Sequence, residues 1–91
     1  MNDQHAEQIM VMARKMRAET VQQVGSAVHV RFRATEADGE PLGFAAVRVA
    51  RRGVHISALE HSACARGVRW SRELARNLTE LDAAGRSGTM N

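Results

Sequence analysis

Arginines set at strand spacing (Arg31, Arg33, Arg48) and at helix spacing (Arg66, Arg69, Arg72, Arg76) are the side chains of this sequence best suited to chemistry with a partner. Of thirteen basic residues only Lys15 is a lysine. A planar guanidinium grips phosphate or carboxylate at two points, which an ammonium point charge does not do. His29 and His55 fall beside the strand arginines, so these five side chains read as one anion-facing surface. A compositional reading stands against this one: a chain rich in Ala, Arg, Val and Gly also results from a GC-rich coding sequence in which arginine codons replace lysine codons. Along the second half, Arg69 and Glu73, Glu73 and Arg76, and Arg76 and Glu80 stand three or four residues apart. On a helix such pairs stabilise one another by roughly 0.2 to 0.5 kcal/mol each. Arg66 and Arg72 have no such neighbour and are the better contact candidates.

The inventory for catalysis is thin. His61 and Cys64 are three residues apart, which places them on one helical turn, and His55 and Glu60 are close in sequence. A metal site or a thiol activity at His61 and Cys64 is therefore an alternative, but zinc needs four well-spaced ligands and a lone cysteine in an Ala-rich stretch suits packing. No glycine-rich phosphate loop joins a strand to a helix, and no two carboxylates share a face. The expectation is no catalytic residue, no metal and no cofactor.

The elements that position these side chains follow from periodicity. Ala6, Ile9, Met10, Ala13, Met16, Thr20 and Val24 recur at spacings of three and four in a segment free of Gly and Pro, Gln4 to Val24. This predicts an amphipathic helix, capped by Asn2 or Asp3 and stopped by Gly25. Its methionines read mainly as core filler. The period then changes to two. Val28, Val30, Phe32 and Ala34 alternate with His29, Arg31, Arg33 and Thr35, the pattern of a strand with one buried face. Asp38 to Gly43 form a turn, a second strand runs from Phe44 to Ala50, and Arg51 to Gly53 lead into a third, Val54 to Leu59, whose Val54, Ile56 and Ala58 share one side. Ala63, Gly67, Trp70, Leu74, Leu78 and Leu81 then draw a single apolar stripe on a helix from about Ala63 to Ala84, with Ser62 as its N-cap and Gly85 as its stop.

The predicted architecture is α+β: helix, three-stranded antiparallel meander, helix, with both helices on one face of the sheet. One domain spans residues 1–85, and 86–91 form a flexible tail. Short connections leave Arg31 opposite Arg48 and Arg48 opposite His55 on the uncovered face, where facing like charges cost a few tenths of a kcal/mol or more. The order of elements is shared with the double-stranded-RNA-binding domain. That correspondence is one of topology, because Arg66, Arg69, Arg72 and Arg76 do not reproduce the basic run at the start of that domain's second helix.

Composition bounds the function. With 91 residues, 44% hydrophobic and 25% charged, the chain reads as one small folded domain with a mild net charge of +3. No run approaches the roughly 18 to 20 apolar residues of a membrane span. The single Cys64 suits a reducing compartment, so a cytoplasmic location is expected. The leading functional expectation is a non-enzymatic binding protein that docks on a protein partner or forms a homodimer, in the manner of an adaptor or of a phage or mobile-element inhibitor of a nucleic-acid-processing complex. The alternative is a nucleic-acid backbone binder using Arg31, Arg33, Arg48, His29 and His55, with Arg66 and Arg72 nearby. No pair of exposed aromatics is present to stack single-stranded bases.

Overall fold

The computed structural model describes residues 1–87. Helix α1 spans Asp3–Lys15, and the Asn2 side chain caps it by accepting a hydrogen bond from the His5 N–H at 2.8 Å. The chain then makes strands β1 (Thr20–Val24), β2 (Ala27–Thr35), β3 (Pro41–Ala50) and β4 (Gly53–His61), and ends in helix α2 (Ala65–Ser87). All strand pairs are antiparallel, in the order β1-β2-β3-β4.

The three-stranded meander expected from the sequence is therefore a four-stranded one. The first helix stops about nine residues earlier than its apolar spacing implies, because Arg17 turns the chain into the left-handed region at φ 63. The Ala18 N–H then donates back to the Ala13 carbonyl at 3.2 Å, closing the helix end. Thr20 and Val24 fit a helical spacing, but their branched β-carbons, like that of Val21, pack better on a pleated surface. Gly25, expected to stop a helix, instead sits at φ 60 at the head of a two-residue hairpin turn joining β1 to β2. Both roles call for a positive φ, so the residue type alone does not distinguish them. A fourth strand also removes the topological correspondence with the double-stranded-RNA-binding domain.

Both helices lie on one face of the sheet. Ile9, Met10 and Ala13 of α1 and Leu74, Leu78 and Leu81 of α2 close over Val28, Val30 and Phe32 of β2 and Ala45, Val47 and Val49 of β3 in one apolar cluster. Met10 is buried in it, while Met1, Met12 and Met16 pack against its margin. No polar or charged residue is buried among the described residues.

Helix α2 comes close to the sheet wherever a glycine admits it. A Cβ at Gly43 of β3 would run into the Trp70 ring, and one at Gly85 would meet the Ala50 carbonyl oxygen. Gly85 thus sits inside the helix as a close-approach residue, and the helix continues to Ser87. Of the expected tail, residues 88–91 lie outside the described residues. Ser62 is not the cap of α2. Its hydroxyl accepts from the Cys64 N–H at 3.3 Å, and the Cys64 sulfur accepts from the Gly67 N–H at 3.5 Å, the place of an N-cap acceptor.

Strand β4 departs from simple alternation. Its register with β3 shifts between Ala46 and Val47, so Ser57 is an extra residue, and its hydroxyl donates to the Ala46 carbonyl at 3.0 Å. Past this bulge the faces exchange. Ala58, expected on the core side, pairs with Ala46 on the open side, and Leu59 pairs with buried Ala45 on the helix side.

Candidate functional site on the open face of the sheet

The face of the sheet away from the helices is uncovered. Across its four strands Gln22, His29, Arg48 and His55 stand in a single row, as the pairings Gln22 with His29, His29 with Arg48, and Arg48 with His55 show. With strands about 4.8 Å apart, the row is about 14 Å wide. The next row holds Thr20, Arg31, Ala46 and Ala58. Arg31 therefore faces the small Ala46 and not Arg48, which the sequence had placed opposite it. The two guanidinium groups are diagonal neighbours, which relieves the direct like-charge opposition. Because Ala46 is small, it leaves a concavity of about 550 Å³ with His29, Arg31, Arg48, His55 and Ser57 on its walls.

The third row is already occupied by internal pairing. Arg33 donates to Glu19 at 2.8 Å and lies over the Phe44 ring, 5.0 Å from its centroid, while Phe44 pairs with Glu60. Of the expected site residues, His29, Arg31, Arg48 and His55 thus converge, and Arg33 borders them with its charge compensated. Arg66 and Arg72 are not part of this group, because α2 packs on the other side of the sheet. The pairing expected along α2 is also reversed. Arg66 is held by Glu36 at 2.6 Å, whereas Arg69, Arg72 and Arg76 have no ion-pair partner among the described residues. Arg31 and Arg48 likewise have none.

Thr20, Gln22 and Ser57 complete the concavity and were missed by sequence reasoning. Recognising β1 was the condition for finding the first two, and the signal was the branched Thr20-Val21 followed by Val24-Gly25-Ser26-Ala27, a hairpin pattern. Nothing in the sequence marks the bulge at Ser57.

His61 and Cys64 are engaged elsewhere. His61 Nδ1 is 3.0 Å from the Ser62 carbonyl, and Cys64 caps α2. Hydrogen bonds from the Ser62 side chain, then from the Gly67 N–H, hold the exposed Cys64 thiol below its ordinary range. Among the described residues no three His, Cys, Asp or Glu side chains converge in a metal-binding group. None of the described helices is long and apolar enough to cross a membrane.

No protein-family model matches the chain, and no curated protein or solved structure is significantly similar to it.

Proposed function

We propose that this chain is a non-enzymatic binding protein whose open sheet face, centred on Arg48 with His29, Arg31 and His55 around it, docks on a carboxylate-rich surface of a protein partner. The observation that carries this reading is the row His29-Arg48-His55 with Arg31 diagonal to it. It forms a concave cationic surface on an uncovered sheet with no acidic side chain in its own row or the next. Guanidinium groups without an internal partner are free for two-point contact with carboxylates, and arginine is enriched at protein interfaces. An adaptor, or an inhibitor that occupies a larger complex, would use such a face.

A nucleic-acid backbone is the second reading, favoured by the same guanidinium groups. Two features favour the protein reading. The cationic patch is only about 10 Å wide, and acidic Glu36, Asp38, Glu40 and Glu60 cluster at one end of the sheet, where they would repel a continuing phosphate chain. Affinity capture from the source cell, with and without nuclease, separates the two. The protein reading predicts a partner that survives nuclease and is lost with the Arg31→Glu/Arg48→Glu variant. Material that disappears on nuclease treatment, or a partner retained by that variant, contradicts it.

A further inference from the structure

Strand β4 is an edge of the sheet, nine residues long, and carries Ile56 and Leu59, each 46% exposed. Both point to the helix side, opposite Val47 and Ala45, and with Leu74, Ala75 and Leu78 of α2 they border an apolar groove of about 370 Å³. Proteins protect such edges with charges aimed inward, with proline or with covering segments. Here the inward positions Val54, Ile56 and Leu59 are apolar, with the small side chains Ser71, Ala75 and Thr79 beside them and Asp82 at the Val54 end, where it accepts the Val54 N–H.

The order of residues along β4 is complementary to itself. We propose that β4 pairs antiparallel with β4 of a second copy about a two-fold axis at Ala58, with Ser57 left out of the pairing as the bulge, joining two sheets into one of eight strands. In this register Ile56 lies beside the second copy's Leu59 and His55 beside its Glu60, while Val54, whose N–H is held by Asp82, lies outside the paired segment. The faces agree at both pairs because of the bulge: Ile56 and Leu59 take the helix side, and His55 and Glu60 the open side. An uninterrupted strand would set each of these pairs on opposite faces. Each apolar pair closes over one groove, and each imidazole stands by a carboxylate on the other face, so a two-fold gives both contacts twice. This mixed pattern, apolar on one side and acid beside imidazole on the other, is what selects a second copy as the occupant over an unrelated strand.

The dimer does not depend on the open-face reading. His55 belongs to both surfaces, but Arg31 and Arg48 stand away from the seam, so Arg31→Glu/Arg48→Glu leaves dimerisation intact if the seam is β4.

Sedimentation equilibrium tests the proposal. The wild-type chain is expected at twice its 10.0 kDa mass. Ile56→Lys, at a half-exposed position that the monomer tolerates, is expected to raise the dissociation constant about a hundredfold or more by placing a charge in a desolvated seam, with unchanged far-ultraviolet circular dichroism. In a Cys64→Ser background, Ile56→Cys combined with Leu59→Cys is expected to give a covalent dimer on oxidation, and Ile56→Cys alone is not. A wild-type chain that stays monomeric at high concentration overturns the proposal, as does a monomer that captures a different protein on this edge. A dimer that persists in Ile56→Lys while the cysteine pair fails to cross-link overturns it equally.

Discussion

At the scale of single residues, Arg17, Gly43 and Asp82 each hold a local contact or backbone state that one substitution tests. Arg17 adopts φ 63, where glycine is the usual occupant and an L side chain costs roughly 1 to 2 kcal/mol. Arg17→Gly is expected to raise stability by about 0.5 to 1 kcal/mol, part of the relief being lost to the freer unfolded chain; urea denaturation measures it. Gly43 lies beneath the Trp70 ring, so Gly43→Ala forces the indole away and should cost about 1 to 3 kcal/mol in the same assay. Asp82 accepts the Val54 N–H at 2.8 Å and an Arg86 N–H at 2.9 Å, tying the end of α2 to the start of β4. These bonds, the Val54 N–H first, hold its carboxyl below the ordinary range. Because the folded value is the lower one, the stabilisation is complete above the unfolded carboxylate value, about 3.9, and fades as pH falls through the folded value. Asp82→Asn is therefore expected to be less stable than wild type near neutral pH, with the gap narrowing in acid. A gap that widens on acidification would contradict this assignment.

At the scale of elements, the central strands β2 and β3 carry the fully buried Val28, Val30 and Val49, while β1 leaves Thr20, Gln22 and Val24 exposed. Hydrogen exchange should accordingly find the amides of β2 and β3 most protected and those of β1 least. The elements differ in the same way in how readable they were. Strand β2 announces itself by strict alternation of an apolar and a polar face, and β3 by an apolar run in which Ala45, Val47 and Val49 share one side. Strand β1 does not, because Ala13, Met16, Thr20 and Val24 continue the helical spacing of α1, and only the backbone turn at Arg17 ends it. In β4 one extra residue, Ser57, exchanges the faces of Ala58 and Leu59, and no local signal fixes where a strand will bulge. Gly85 was misread because a helix stop and a close approach to a sheet both call for a residue without a side chain. For the site, the rows were legible in outline and their register was not: His29, Arg48 and His55 align, while Arg31 is set one row away. Arg66 looked unpartnered because its carboxylate, Glu36, is thirty residues away in sequence.

At the scale of the whole molecule, the helices occupy one side of the sheet and leave the other uncovered. A net charge of +3 is too small to bring in polyanions indiscriminately, so the proposed docking relies on the placement of Arg31 and Arg48. Exposed charges of this kind are screened within about 10 Å at 0.1 M salt, so partner binding should weaken as ionic strength rises, with Arg48→Ala reducing that salt dependence. Binding by calorimetry across a salt series checks this. The central claim, that the open face is the docking surface, is tested most directly by a nuclear magnetic resonance footprint: the isotope-labelled chain is titrated with the partner captured from the source cell. Shifts are expected to concentrate at His29, Arg31, Arg48 and His55 and to be lost in Arg48→Glu. A footprint on α1 or α2 that leaves these four residues unchanged would contradict that claim.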